Sequence, residues 1–227
     1  MLQPGYVPWL GFFDQMRRCD TFVLYDDVQY DKGGWRNRNR IKANDGPQWL
    51  TVPVLTKGRF GQRLLAVEID STRPWAQTHL RSIRHCYATA PFLDRYLPEL
   101  TEILARPWHR LVELDIELIT LMSGWLGLRK NVVRSSELGI AGSRSERLVD
   151  LCLYFGATRY LTGDAARAYL DVSLFAERGI EVEWQGFSHP TYHQQHGDFV
   201  PYLSALDLIL NCGEKAIDTL SNGTPDG

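Results

Sequence analysis

Asp26 and Asp27 close the short apolar run Thr21-Phe22-Val23-Leu24-Tyr25 and form the most suggestive charged pair in the chain. Paired carboxylates at a strand end can hold a divalent cation such as Mg²⁺, or one can act as a base while the other caps a loop. Adjacent strand residues face opposite ways, so both enter one pocket only if the strand has already ended. A second set lies far downstream, in Phe187-Ser188-His189-Pro190-Thr191-Tyr192-His193-Gln194-Gln195-His196-Gly197, where half of the six histidines are found. The spacing 189, 193, 196 imitates a zinc site on one helical face. Pro190 and Gly197 interrupt such a helix, however, and no acidic residue falls between the histidines, so no metal ligand is assigned. The expectation is a loop base, His189, with Tyr192 or Gln194 orienting a substrate and Asp26 or Asp27 as its electrostatic partner. A third set is basic: Arg36, Arg38, Arg40 and Lys42 alternate with Trp35, Asn37, Asn39 and Ile41. In a strand the four cations share one face, which suits a phosphate or carboxylate, or is simply a solvated edge.

These residues need elements to hold them. The opening run Gln3-Pro4-Gly5-Tyr6-Val7-Pro8-Trp9-Leu10-Gly11 is a loop, because Pro4 and Pro8 lack backbone donors. Phe12, Phe13 and Met16 recur at helical spacing, so a helix starts near Gly11. A strand over 22–25 follows. Loop, helix and strand make the front of an α/β unit, and ligands collect at that edge. Only Met1 and Leu2 precede Gln3, so the first strand of that unit is very short or begins upstream of this sequence. Residues 35–55 read as a β-hairpin, 65–70 as a strand, and 74–127 as a block of three helices. Strand, helix, strand, helix, strand then follow over 130–184, with Gly at the turns. Ser143 with Glu146 makes a capping box there. Ser204 reads as the N-cap of a last helix over 205–210. The fold class is α/β: a mostly parallel sheet with flanking helices, a β-hairpin and a helical insertion, as one domain over 1–227. Three loops should meet at one sheet edge: Gln3 to Gly11 with Asp26 and Asp27, Ser135-Ser136-Glu137, and Thr162-Gly163. Hydroxyls and free N–H groups there favour an anion, and capping is a compatible second role for Ser135 and Ser136.

Composition bounds the function. A net charge of −2 gives no general attraction for nucleic acid or anionic membrane, so DNA is not an expected partner. No apolar run approaches the roughly 20 residues that span a bilayer. Cys19, Cys86, Cys152 and Cys212 form no CxxC pair, and a reducing cytoplasm is the simplest compartment. The first half resembles, in outline, nucleotide-binding folds whose first loop ends in Gly at a helix start. The histidine of such nucleotidyltransferase loops is missing here, with Pro8-Trp9-Leu10-Gly11 in its place.

Taken together, the motifs extend over nearly the whole chain. They are Gln3-Pro4-x-Tyr6-x-Pro8-Trp9-x-Gly11, Asp20-x-Phe22-Val23, Asp26-Asp27-Val28-Gln29-Tyr30, and Trp35-x-Asn37-Arg38-Asn39-Arg40-Ile41. Downstream come Ser135-Ser136-Glu137-Leu138, Gly156-Ala157-Thr158-x-Tyr160, His189-Pro190-x-Tyr192-x-Gln194, and Phe199-x-Pro201-x-x-Ser204-x-x-Asp207. These stretches resemble the WbqC-like family, and the departure from it is the short start before Gln3. Members are often encoded among genes for O-antigen and other bacterial surface polysaccharides, and a glycine-transferring role is attached to one branch. The resemblance therefore implies a cytoplasmic transferase that moves an amino-acid or acyl group onto a sugar or similar acceptor. Its partners would be a nucleotide-sugar or other small molecule and an aminoacyl donor. In that reading Arg38 and Arg40 hold the donor, while Gln3, Tyr6, Trp9, Gly11, Tyr30, Trp35, Asn37, Asn39, Ser135, Ser136, Thr162, Gly163, Tyr192 and Gln194 shape the pocket. Two other readings are a nucleotidyltransferase with Mg²⁺ on Asp26 and Asp27, and a non-catalytic subunit of a glycan assembly complex.

Overall fold

Leu10, Phe12, Phe13 and Met16 give the first helix, α1 (Leu10–Arg18), a buried apolar stripe, and Arg17 and Arg18 complement the dipole at its last turn. The apolar run after it forms β1 (Thr21–Leu24). The computed structural model describes residues 1–223; the last four residues of the expected domain, 224–227, lie outside them. The strand expected before Gln3 is reduced to Leu2, which pairs in parallel with Leu24 through bonds to Val23 and Tyr25. The hairpin is β2 (Arg38–Ala43) against β3 (Gly46–Thr51), antiparallel, with Arg40 opposite Trp49. Three helices follow, α2 (Trp75–Cys86), α3 (Leu93–Ala105) and α4 (Leu111–Trp125), as the insertion pattern predicts. Pro98 sits inside α3 without ending it.

After the insertion, β4 (Asn131–Arg134) lies parallel to β1, with Leu24 opposite Arg134. Then come α5 (Arg144–Tyr154), β5 (Arg159–Thr162), α6 (Val172–Ala176) and β6 (Glu181–Trp184), with β5 and β6 parallel. The chain closes through α7 (Ala205–Cys212) and α8 (Ala216–Ser221). The fold is therefore α/β, built from two parallel strand pairs and an antiparallel hairpin. A large apolar core joins α1, β1, the hairpin, the helical block and α7. A smaller one gathers Val149, Cys152, Tyr160 and Phe175 around β5 and β6. Leu2 packs on the first and Met1 on the second, so the chain start sits between the two parallel pairs. Gln185 ties them further: its Nε2 donates to the Gly11 carbonyl at 2.8 Å and to Asp14 at 2.9 Å, while Arg18 donates to the Gln185 carbonyl at 2.6 Å.

Two sequence expectations change. Residues 65–70 do not form a strand; Leu64–Ala66 is a single 3-10 turn, followed by isolated bridges at Glu68 and Ile69. Val67 and Ile69 do alternate with Glu68 and Asp70, but pairing there is limited to the isolated bridges Val54 with Ile69 and Glu68 with Arg110, so no ladder forms. The basic ribbon is also shorter than its sequence suggests, because β2 begins at Arg38. Arg36 turns inward and donates to the Gln3 carbonyl at 2.8 Å and the Pro4 carbonyl at 3.3 Å. Lys42 is buried and donates to the carbonyls of Gly197 and Asp198.

Candidate functional site

The C-terminal ends of β1, β4, β5 and β6 open onto one cleft of about 1440 Å³. This is the edge at which open α/β sheets gather ligands. Its walls include Gln3, Trp9, Asp27, Ser135, Ser136, Thr162 and Gly163, so the three loops expected to meet do meet. Asp26, Asn37, Asn39, Tyr6 and Tyr30 do not line it; they brace what does.

Asp26 is fully buried. It accepts from Arg134 Nε at 2.7 Å, the Ser136 backbone N–H at 3.0 Å and the Ser136 hydroxyl at 2.9 Å. Asp27 lies past the end of β1, where strand alternation no longer applies; it shares the Ser135 hydroxyl with Asp26 and takes a bidentate contact from Arg147 at 3.0 and 2.5 Å. The Ser135 hydroxyl donates to Asp27 at 2.6 Å. Burial pushes the Asp27 carboxyl up, but the bonds from Arg147 and Ser135 outweigh it and hold the group below the usual range. The donor set therefore does not fit the Mg²⁺ reading: arginines already neutralise both carboxylates, and among the described residues no three His, Cys, Asp or Glu side chains cluster as a metal site. Ser135 and Ser136 likewise spend their hydroxyls on the aspartates, fixing the turn that forms the cleft wall.

The opening loop is held from behind. Tyr6 is fully buried and its hydroxyl donates to His79 Nδ1 at 2.9 Å; burial lowers the imidazole to about 4, so it stays neutral and accepts. Tyr6 is thus a core anchor and not a pocket wall. Tyr30 donates to Asn37 Oδ1 at 3.0 Å, Asn37 donates to the Val52 carbonyl at 2.8 Å, and Asn39 donates to the Val7 carbonyl at 2.9 Å. These amides fasten the loop to the hairpin, which is why they are buried. Gly11 has a steric role: a Cβ there would lie 2.2 Å from the Trp9 ring, so only glycine lets that ring lie on α1.

Neither Arg38 nor Arg40 lines this cleft, contrary to the expectation that they hold the donor there; the Arg38 guanidinium donates to the carbonyls of Gly33 and Gly34 and stacks 4.5 Å from the Trp49 ring. The cleft cations are instead Arg36, Arg63, Arg144 and Arg147, against Asp27 and Asp164. Arg63 and Arg144 are exposed and make no ion pair among the described residues. Arg144 opens α5 with φ +52, a left-handed backbone that costs a non-glycine residue about 1–2 kcal/mol. The expected capping box does not close, since the Ser143 hydroxyl makes no capping bond. The start of α5 therefore presents uncapped N–H groups beside Arg144 on the cleft wall.

The histidine segment is a loop, and its imidazoles diverge. His196 bonds the Cys86 carbonyl at 2.6 Å and His193 is exposed. His189 lies among the rings of Phe187, Tyr192, Phe199 and Tyr202. Its Nδ1 is 3.0 Å from the Pro190 carbonyl, so Nδ1 carries the proton and Nε2 is a bare acceptor, without a partner among the described residues. Burial lowers its pKa, which keeps the ring neutral. The Pro190 carbonyl, not Asp26 or Asp27, orients it. Phe187 and Tyr202 separate His189 from the cleft they line. Tyr192 and Gln194 turn inward to the buried Asp207, at 2.8 and 2.7 Å, and so hold the segment on α7.

Sequence reasoning missed Tyr25, Arg144, Arg147, Gln185 and Tyr202. Gln185 follows a parallel strand directly, so the rule that found Thr162 would have found it. Arg144 and Arg147 lay hidden in a helix read for its capping pattern.

No solved structure matches the chain. The uncharacterized protein Rv1507c of Mycobacterium tuberculosis (strain ATCC 25618 / H37Rv) is 39% identical over 222 residues, covering 97% of this chain and 96% of that protein. The sequence model of the WbqC-like protein family matches residues 3–219. The chain belongs to the WbqC-like protein family, which is associated with polysaccharide biosynthesis.

Proposed function

We propose that this chain is a transferase that binds an anionic activated donor in the cleft and moves an amino-acid or acyl group onto a sugar or similar acceptor. The observation that carries the reading is the pair of cations, Arg63 and Arg144, that have no ion-pair partner among the described residues and lie on the cleft at the C-terminal ends of the parallel strands, beside the uncapped start of α5. Such a wall suits phosphate or pyrophosphate oxygens. His189 is the base. Its Nε2 takes the proton of an acceptor amine or hydroxyl as that atom bonds to the donor's acyl carbon, and the bond to the leaving oxygen breaks with its electron pair. Access to Nε2 from the cleft requires the half-exposed Tyr202 ring, packed against His189, to move aside. Family membership supports the polysaccharide setting. Among the described residues no helix is long and apolar enough to cross a membrane.

Thermal stabilisation by nucleotide-sugars and aminoacyl donors tests the binding half of the reading. Stabilisation by an anionic donor is expected, and none with any of them would leave a non-catalytic binding role. Once a donor is found, His189→Ala should abolish turnover while leaving donor affinity near wild type. Unchanged turnover removes the assignment of the base.

A further inference from the structure

Beside the cleft lies a smaller cavity of about 470 Å³ that shares Leu2, Gln3, Trp9, Arg36 and Tyr202 with it. The two spaces therefore adjoin, with these five residues as their common border. The smaller one differs in character. Trp9, Phe12, Trp35 and Tyr202 supply aromatic surface, and its charged lining residues are Arg36 and Arg40, with no carboxylate. Arg40 lies 5.5 Å from the Trp35 ring centroid and 5.6 Å from that of Trp49. Its Nη2 donates to the Tyr202 carbonyl at 3.3 Å, its buried Nε has no partner among the described residues, and it makes no ion pair there. Trp35 and Trp49 are 45% and 43% exposed, which leaves large aromatic faces in water beside that cation.

We propose that this cavity is a subsite for an anionic pyranoside, a six-membered sugar ring bearing a carboxylate. The proposal deepens the transferase reading, on which its acceptor role rests. The flat C–H face of a pyranose lies on indole surface, while Arg40 meets the carboxylate through a charge-assisted bond in partly desolvated surroundings. A nucleobase fits less well, because its N–H edge needs acceptors. The Asn39 amide is consumed by the Val7 carbonyl and the Arg40 N–H, leaving Gln3 as the free side-chain amide. Tyr202 stands where the two spaces join. It holds φ +59, a strained conformation for an aromatic residue, and half of its surface is exposed. Ring and donor would then meet at Gln3, with His189 behind the Tyr202 ring.

The test uses the full chain. Methyl β-D-glucuronide and methyl β-D-glucoside are titrated by saturation-transfer NMR and tryptophan fluorescence, with UDP-glucose as a separate probe of the large cleft. The glucuronide should bind at least about tenfold tighter than the glucoside. Trp35→Ala should weaken glucuronide binding about tenfold, and Arg40→Gln should erase the preference for the charged sugar. Both variants should bind UDP-glucose as wild type does. Equal affinity for the two glycosides, no binding of either at millimolar concentration, or wild-type glucuronide binding in both variants overturns the proposal. Glucuronide binding that survives while UDP-glucose fails to bind upholds the subsite and sinks only the reading of the large cleft as a pyrophosphate site.

Discussion

Arg144→Gly should make the protein more stable and worse at binding its donor. Arg144 is exposed, has no ion-pair partner among the described residues and sits at φ +52, so the fold gains nothing evident from its side chain. Relieving the left-handed strain returns about 1–2 kcal/mol. The greater freedom of glycine in the unfolded chain takes back about 0.5–1 kcal/mol. The net is a gain of about 0.5–1 kcal/mol, or roughly 1–4 °C in Tm for a chain of this size. Losing a charge-assisted bond to a phosphate costs about 1.5–3 kcal/mol, a 10- to 100-fold rise in Kd. Differential scanning fluorimetry without ligand reads the first effect, and calorimetric titration with UDP-glucose reads the second. Arg144→Lys keeps both strain and charge, so its Tm should match wild type. A fall in Tm for Arg144→Gly, or unchanged affinity, would refute the reasoning that strain is retained here for an anion.

Three further outcomes follow from buried charge. Asp115 on α4 is fully buried, with no partner for either oxygen among the described residues, and burial raises its pKa well above 3.8 against the pull of Arg36. The folded state thus keeps a proton that the unfolded chain releases, and stability falls as pH rises through the unfolded value. Asp115→Asn should flatten that slope and add about 1–3 kcal/mol at pH 7, measured by urea unfolding across pH. For Asp27 the sign is opposite: its lowered pKa gives stability that is present above 3.8 and lost as pH falls through the depressed value. Arg147→Ala should remove that acid-limb contribution and cost about 3 kcal/mol at neutral pH in the same assay. Asp207→Ala leaves Tyr87, Tyr192 and Gln194 without their shared acceptor, and should cost about 3–5 kcal/mol while speeding amide exchange across residues 189–197.

The topology was legible where local patterns suffice. The apolar stripes of α1, α4 and α5, the hairpin and the strand over 159–162 all declare themselves by spacing, although the hairpin turn expected over 44–47 is only Asn44-Asp45, with Gly46 and Pro47 already in β3. The meeting of three loops at one edge also followed, because parallel strands put their C-terminal ends together. What sequence could not give was the partner of each polar side chain. Tyr6, Asn37 and Asn39 share a motif-dense stretch with Trp9 and Arg40, yet Tyr6 and Asn37 face inward, whereas Trp9, Arg40 and the largely buried Asn39 border a cavity. Alternation assigned Lys42 to an open basic face, whereas the 197–198 segment, over 150 residues away, covers it. Asp26 and Asp27 looked like a cation site because Arg134 and Arg147 reach them from distant positions. Long-range pairing decides such roles, and spacing along the chain carries no record of it.

Hydrogen–deuterium exchange of the full chain, with and without a saturating nucleotide-sugar found by thermal shift, tests the central claim most directly. Protection should appear over 135–147 and at 162–164, around the Ser135-Ser136 turn, the start of α5 and Gly163. Protection confined to other segments, with these amides exchanging as in the free protein, would contradict the placement of the donor in the cleft.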